Sequence, residues 1–139
     1  MDNVKLAELI ATGAHYGQVD KGGNPYINHP KTVASLVSTT DEKTVAWLHD
    51  VVEDTNIEIV DLYSLFSVWV VSAVDAITRK PNEDRQVYLN RVKANPIARV
   101  VKLADLKHNS DLSRIKRPLT QKDFDRYNRY QEEIKFLAG

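Results

Sequence analysis

The sequence predicts an all-α protein, and three observations support that prediction. Apolar residues recur at the spacing of a helix face along most of the 139-residue chain. Prolines and residues of the kind that cap helices stand where successive helices would begin. One segment, 68–78, is rich in β-branched residues, but no second segment could pair with it as a strand, so we expect a buried helix there. The sequence therefore predicts a single domain over residues 1–139, built as a bundle of six to eight helices.

The first half of the chain contains three predicted helices before the buried segment. Apolar residues three and four positions apart predict an amphipathic first helix over about 3–16; they are Leu6, Leu9, Ile10 and Ala14. A polar loop over about 17–28 follows, and its glycines and proline favour a turn. Pro30 suits the first turn of the second helix, where its missing N–H costs nothing. Asp41 is predicted to cap the third helix.

The second half of the chain continues the helical pattern. A helix is expected around Val87, Leu89 and Val92, after a break at Pro81. The next helix begins with Asn95 as its cap and runs to about His108. A last, highly charged helix is expected over about 120–137. Its predicted inner face consists of Phe124, Tyr127, Tyr130, Ile134 and Leu137.

Composition limits the chemistry that this chain can perform. It contains no cysteine, which excludes disulfides, thiol catalysis and thiolate metal sites. Basic and acidic residues number 19 each, so the zero net charge predicts no general attraction to nucleic acid or to an anionic membrane. No apolar run approaches the roughly 20 residues of a membrane span, and the charged N-terminus is unlike a signal peptide. We therefore expect a cytoplasmic protein without nucleic-acid or membrane partners, whose oligomeric state the sequence leaves open.

Two acidic residues stand in unusually apolar surroundings. Asp50 follows His49 inside the apolar run 45–52, and Asp105 lies on the apolar stripe of the helix that begins near Asn95. A buried carboxylate is costly unless it is paired or binds a metal. Pairing with an arginine, or capping a helix, is the alternative for Asp105. His29 lies between two prolines, just before a predicted helix. A histidine in such a place more often caps the helix or lies on the surface than binds a metal.

Together, these residues predict a metal site. His29, His49, Asp50 and Asp105 offer nitrogen and oxygen ligands without sulfur, which suits Mn²⁺, Fe²⁺, Co²⁺ or Zn²⁺. Water on such a metal becomes a nucleophile near neutral pH, and the metal also withdraws charge from a phosphoryl group.

Further charged residues lie near the predicted site. Glu53 and Asp54 follow His49 and Asp50 by four residues each, so each would lie one helical turn beyond a ligand. They could orient or deprotonate an attacking water, or they could form a solvated helix end. Lys102 and Asn109 can share a helix face with Asp105, and Lys21 lies in the glycine-containing loop. These three could contact an anionic substrate; a surface lysine and a flexible solvated loop are the alternatives.

The order of these residues resembles a known family. His29, the pair His49-Asp50 and then Asp105 follow the pattern of the HD-domain metal-dependent phosphohydrolases. More narrowly, segments 14–18, 23–30, 48–55 and 101–109 resemble the hydrolase domain of RelA/SpoT proteins and the small stand-alone alarmone hydrolases.

The resemblance implies an HD-type helical bundle with one Mn²⁺ bound by the four matching residues. It further implies removal of pyrophosphate from the 3′ position of guanosine tetra- or pentaphosphate. Glu53 and Asp54 match the paired catalytic acids of this family, and Asn109 matches a nucleotide contact. The chain departs from the family at Asp20-Lys21, where a basic pair is usual.

The predicted function is therefore metal-dependent hydrolysis of guanosine-3′,5′-bis(diphosphate), ppGpp, to GDP and pyrophosphate. Two alternatives stay open at the level of sequence. One is an HD-domain phosphohydrolase that acts on another nucleotide or on a phosphomonoester. The other is a helical module that binds a nucleotide without catalysis.

Overall fold

The protein chain forms helices joined by loops in a computed structural model that describes residues 2–139. Met1, which belongs to the predicted N-terminal segment, lies outside the described residues. The helices are α1 (Asn3–Ala14), α2 (Asn28–Ser35), α3 (Thr40–Leu48), α4 (Val51–Asp54), α5 (Ile59–Leu62), α6 (Val68–Ile77), α7 (Arg85–Ala94), α8 (Pro96–Asn109) and α9 (Gln121–Ala138). Of these, α4 and α5 are single turns, and a short 3₁₀ helix, Leu112–Arg114, precedes α9. Seven longer helices within residues 2–139 confirm the predicted all-α bundle.

Helix α6 confirms that the β-branched segment 68–78 is helical. Ser67 caps it by accepting a hydrogen bond from the backbone N–H of Val70. Most of its side chains are buried, including Val70, Val71 and Val74. Because no strand among residues 2–139 is present to pair with this segment, burial against other helices decides its conformation over its β propensity.

Side-chain caps explain where several helices begin. Asn95 accepts from the N–H of Ala98 and Pro96 is the first residue of α8, as predicted. The prediction for α3 was wrong, because its cap is Thr39 rather than Asp41. Thr39 accepts from the N–H of Glu42, whose carboxylate accepts in return from the N–H of Thr39. This reciprocal capping box satisfies two donors, so the helix begins one residue before Asp41.

Two helices stand at the centre of the bundle. Helix α3 packs against α1, α2, α6 and α8, and α8 packs in addition against α2, α6, α7 and α9. The C-terminal half of α3 is fully enclosed, from Thr44 to Leu48. Because α2, α3 and α8 contact one another, residues on their facing sides can converge on one point.

The third helix is interrupted where the sequence suggested continuity. Helix α3 ends at Leu48, and the pair His49-Asp50 forms a turn before the short helix α4. The predicted continuous helix through His49-Asp50 is therefore wrong, although Asp54 still lies one turn beyond Asp50, because its backbone N–H donates to the carbonyl oxygen of Asp50 at 3.0 Å. The first helix is also shorter than predicted, because it ends at Ala14 before Gly17, whose φ of +84° is left-handed.

The inner face of α9 includes four of the five predicted residues: Leu137 is buried, and Tyr127, Tyr130 and Ile134 are partly buried. Phe124 is 43% exposed, whereas Asp123 and Glu133 are buried. Asp123 pairs with Arg117 and Arg126, and Glu133 pairs through two hydrogen bonds with Arg85 of α7. Ion pairing allows these two carboxylates to be buried. No helix among residues 2–139 combines the length and the hydropathy needed to cross a membrane.

The capping box of α3 leads to a prediction about stability. We expect Thr39→Ala to lower the free energy of unfolding by about 1 kcal/mol, because the N–H of Glu42 loses its acceptor. Urea denaturation followed by circular dichroism measures this change. Thr40→Ala is the matched control, since Thr40 lies inside the exposed first turn, where alanine is well tolerated. Equal losses in the two variants would contradict the assignment of Thr39 as the cap.

Candidate metal centre

Three elements bring the four predicted ligands together. His29 is the second residue of α2, and Asp105 lies in the C-terminal half of α8. His49 and Asp50 occupy the turn between α3 and α4. His29, His49 and Asp105 are buried, and Asp50 is partly accessible.

The ligand atoms of these residues face a common point. His29 Nε2 lies 2.7 Å from Asp105 Oδ1 and 3.8 Å from Asp50 Oδ2. His49 Nε2 lies 3.1 Å from Asp50 Oδ2 and 3.3 Å from Asp105 Oδ1. One atom each from His29, His49 and Asp105 lies within 4.8 Å of the other two. This group could therefore hold a metal ion.

An unpaired ring nitrogen supports this fit. His49 Nε2 is buried and has no hydrogen-bond partner among the described residues, although two carboxylate oxygens lie close to it. The other nitrogen of the ring, Nδ1, lies 2.6 Å from the carbonyl oxygen of Ala46 and donates to it. In the neutral ring, the form that binds a metal, that hydrogen bond leaves the lone pair on Nε2, directed at the common point. Imidazole and carboxylate ligands without sulfur are those that suit first-row divalent metals.

The electrostatics of the group favour a cation. Burial alone would lower the pKa of His49, but Asp50 and Asp105 outweigh burial and raise the pKa well above its usual value. Burial likewise opposes ionisation of Asp105, but Lys102 and the two histidines hold its pKa well below the usual range. The carboxylates are therefore charged, and they attract positive charge to the space between the imidazoles.

Asp105 receives further support from its own helix. Lys102 Nζ donates to Asp105 Oδ2 at 2.8 Å, and Asn109 Nδ2 donates to Asp105 Oδ1 at 3.1 Å. The ammonium group of Lys102 also lies 5.5 Å from the centre of the Tyr88 ring. Lys102 thus balances the charge of Asp105, and its predicted contact with substrate phosphate stays a prediction.

A cavity of about 350 Å³ opens beside His29. The predicted contacts Lys21 and Asn109 both line it, together with Arg114, Arg126 and Tyr130, which the sequence analysis did not single out. Arg126 and Tyr130 are four residues apart on α9, a spacing that places them on one helix face. Their spacing was visible in the sequence, but only the packing of α9 against α8 brings that face to the site.

Asp20, at the departure from the family pattern, takes part in the structure of the loop. Its Oδ1 accepts from the N–H groups of Gly22 and Asn24, and its Oδ2 lies 3.5 Å from Arg114 Nη2. A Cβ at Gly22 would lie 3.0 Å from the carbonyl oxygen of Arg114, so this glycine permits a close approach of the two segments. Asp20 therefore shapes one wall of the cavity.

Glu53 and Asp54 point to different surroundings. Glu53 Oε1 accepts from the backbone N–H of Arg79 at 2.9 Å, at a second cavity of about 620 Å³ between α4 and the segment after α6. The carboxylate of Asp54 makes no hydrogen bond within residues 2–139. Its backbone carbonyl accepts from Gln18 Nε2 at 3.2 Å. Partial loss of water around the carboxyl group, with the charges of Asp50 and Glu53, raises the pKa of Asp54 to about 6.

Two further residues contact the ligands directly and were not singled out from the sequence. Tyr26 donates its hydroxyl hydrogen to Asp50 Oδ2, and His108 Nδ1 lies 2.7 Å from His29 Nδ1. Burial, Arg114 and His29 lower the pKa of His108 to about 4, so the ring is neutral at physiological pH. Both residues lie inside segments that carry the family resemblance, 23–30 and 101–109, which was the available signal.

The chain is similar in sequence to proteins named for the synthesis or hydrolysis of (p)ppGpp. No model of a protein family matches the sequence. The chain is 32% identical over 121 residues to the bifunctional (p)ppGpp synthase/hydrolase SpoT of Escherichia coli K12, an alignment that covers 76% of this chain and 17% of that protein. It is 37% identical over 107 residues to the guanosine-3′,5′-bis(diphosphate) 3′-pyrophosphohydrolase MESH1 of Danio rerio, covering 68% of this chain and 59% of that protein.

A solved structure gives the same result at the level of the fold. It belongs to a metazoan ortholog of SpoT described as hydrolysing ppGpp. The TM-score is 0.83 at 25% sequence identity, and the superposition covers 100% of this chain and 87% of that chain. The chain is a (p)ppGpp hydrolase-like HD-domain protein. This HD domain spans about a sixth of the length of the E. coli protein and somewhat more than half of the zebrafish protein.

The ligand set of this HD domain leads to a prediction about metal binding. We expect Asp50→Asn to weaken Mn²⁺ binding by more than the roughly 10–100-fold that loss of a supporting residue typically costs, because a charged ligand atom is removed. Titration of metal-free protein with Mn²⁺, followed by calorimetry, measures the affinity. Asp111→Asn is the control, since Asp111 lines the adjacent cavity outside the ligand group. Unchanged affinity in Asp50→Asn would remove Asp50 from the ligand set.

Proposed function

We propose that this protein hydrolyses guanosine-3′,5′-bis(diphosphate) to GDP and pyrophosphate with a bound Mn²⁺. The observation that supports the proposal most strongly is the convergence of His29, His49, Asp50 and Asp105 beside a cavity lined with basic side chains. Relatives named for this reaction add a second line of support.

The proposed metal ligands are the four converging residues. A divalent metal held there would polarise the phosphoryl group and lower the pKa of water, which supplies the nucleophile. Lys102 and Asn109 hold the carboxylate of Asp105 in place through their hydrogen bonds. Tyr26 holds that of Asp50. These contacts fix the ligand atoms before substrate arrives, which favours catalysis because no reorganisation is needed.

The basic cavity is the proposed binding site for the nucleotide. Lys21, Arg114 and Arg126 line it, and a polyphosphate would offset their charges. The pKa of Lys21 is lowered by partial loss of water and by Arg126, so these two positive charges repel each other and would be relieved by an anion. Tyr130 offers an aromatic ring to the base, and Asn109 offers amide groups between the cavity and the metal ligands.

The proposed reaction breaks one phosphorus–oxygen bond. Water attacks the phosphorus atom attached to the 3′ oxygen, that bond breaks, and the 3′ oxygen leaves with a proton as the hydroxyl of GDP. Water must lose a proton to a base in the process. Asp54 is the proposed base, because its carboxylate makes no hydrogen bond within residues 2–139 and its pKa of about 6 suits proton uptake near neutral pH.

Glu53 is assigned a different part in the proposal. Its carboxylate already accepts the backbone N–H of Arg79, which ties α4 to the segment that follows α6. We propose that Glu53 positions α4 and thereby also positions Asp54. Gln18 supports the same end of α4 through the carbonyl of Asp54, and its own side chain is held by His15 Nδ1 at 2.9 Å.

The direct test is product release from ppGpp. Wild-type protein with Mn²⁺ is expected to release pyrophosphate and GDP in equal amounts, measured by coupled pyrophosphate detection and ion-exchange chromatography. Asp50→Asn, which lacks a proposed ligand, is expected to release neither. Parallel assays with pppGpp, GTP, other nucleotides and a phosphomonoester test the alternative that the departure at Asp20-Lys21 has changed the substrate. Bound Mn²⁺ without turnover of any of these compounds would favour a binding module instead.

A second experiment separates the roles of the paired acids. Asp54→Asn is expected to lower kcat by about 10²–10⁴-fold, since it removes the proposed base. Glu53→Gln keeps an oxygen that can accept from Arg79, so most of the activity should remain. Glu53→Ala loses that acceptor and should lower kcat by up to about 10²-fold through misplacement of α4. A loss in Glu53→Gln as large as in Asp54→Asn would instead assign proton transfer to Glu53.

Four points stay predictions beside this proposal. Mn²⁺ is the expected metal among those that suit the ligand set. The cytoplasmic location, the lack of nucleic-acid and membrane partners, and the extent of the domain over 1–139 are likewise untested expectations.

A further inference from the structure

His29 is held from both sides of its ring. Its Nε2 lies 2.7 Å from Asp105 Oδ1, at the point where the ligand atoms converge. Its Nδ1 lies 2.7 Å from Nδ1 of His108. The two imidazole rings are nearly parallel, with an angle of 11° and 5.0 Å between their centres. His29 therefore contacts the ligand group with one nitrogen and a second imidazole with the other.

The short distance between the two Nδ1 atoms requires one shared proton. Two lone pairs would repel at 2.7 Å, and two N–H groups would collide, so one nitrogen donates and the other accepts. A histidine that binds a metal through Nε2 keeps its proton on Nδ1. His29 must then be the donor and His108 the acceptor.

We propose that His108 is the positioning residue for His29: its Nδ1 accepts the Nδ1 hydrogen of His29 and thereby holds the lone pair of Nε2 on the metal. This inference rests on the proposed metal centre, and it is independent of which substrate is hydrolysed.

The position of His108 on α8 suits its proposed role as the hydrogen-bond acceptor for His29. It follows Asp105 by three residues, so one helix face presents both a metal ligand and the acceptor for a second ligand. The backbone around His108 is also fixed, because its carbonyl oxygen accepts from Arg114 Nη1 at 3.1 Å. This bond holds the backbone from which the imidazole of His108 projects towards His29.

The two histidine ligands are positioned in different ways. His49 Nδ1 donates to a backbone carbonyl of its own helix, at Ala46, so its orientation is a property of α3. His29 depends instead on a side chain of another helix. Substitution of His108 can therefore alter one ligand while the other ligands keep their partners.

The test measures Mn²⁺ affinity in three variants. His108→Phe keeps a ring of similar shape but replaces Nδ1 with a carbon, so we expect affinity to fall by about 10–100-fold. His108→Asn places an amide oxygen on the same Cγ and should restore most of the affinity. Lys107→Ala, an exposed neighbour in the same turn, is the control and should bind as wild type. Thermal unfolding verifies that each variant folds.

The outcomes of this titration are distinct. Equal affinity in wild type and His108→Phe would overturn the inference while the metal centre stands. A loss of affinity in His108→Asn as large as in His108→Phe would also overturn the inference, because restoring a hydrogen-bond acceptor would then have no effect on metal binding. Wild-type protein that binds no Mn²⁺ would overturn both the metal centre and the inference.

A second measurement needs no substitution. Long-range ¹H–¹⁵N NMR of the wild-type protein loaded with diamagnetic Zn²⁺ reports which ring nitrogens carry hydrogen. We expect a protonated Nδ1 on His29 and an unprotonated Nδ1 on His108. A protonated Nδ1 on His108 in the loaded protein would overturn the inference.

Discussion

The buried carboxylate of Asp105 is the constraint around which the site is arranged. It is 4% exposed in the middle of a helix bundle, and a charge in such a place must be compensated. Lys102 and Asn109 satisfy it from its own helix, and His29 and His49 approach it from α2 and from the end of α3. Removing one partner of a buried ion pair typically costs about 3–5 kcal/mol, so this charge links the stability of the bundle centre to the integrity of the site.

The same constraint explains why Lys102 is not among the residues that line the cavity beside His29. The ammonium of Lys102 neutralises one carboxylate, which leaves the second carboxylate and the two imidazoles to attract a further cation. The basic groups available to an anionic substrate come from other places, namely the loop before α2, the segment after α8, and α9. The positive charge that balances Asp105 is thus separate from the basic groups that line the cavity.

The sequence was sufficient to predict the fold class and the four converging residues, because both depend on local patterns. Periodic apolar residues define helices, and an acid on an apolar stripe, as at Asp105, stands out without any structure. The features that the sequence could not predict depend on contacts between residues that are far apart in the chain. The inward position of Glu133 requires Arg85, which is 48 residues away in the chain. The contribution of Arg126 and Tyr130 to the cavity likewise depends on how α9 packs on α8.

The break between α3 and α4 has the largest consequence for chemistry. On a continuous helix, Glu53 and Asp54 would both project one turn above the ligands, and nothing would distinguish them. The helix instead breaks at His49-Asp50, Glu53 accepts from the backbone N–H of Arg79, and the carboxylate of Asp54, one turn beyond Asp50, makes no hydrogen bond within residues 2–139. A carboxylate that already accepts a hydrogen bond from the backbone is a poorer base than one without such a bond, because the bond stabilises its charged form. Local geometry thus divides two chemically similar acids into one suited to hold the chain and one suited to take up a proton.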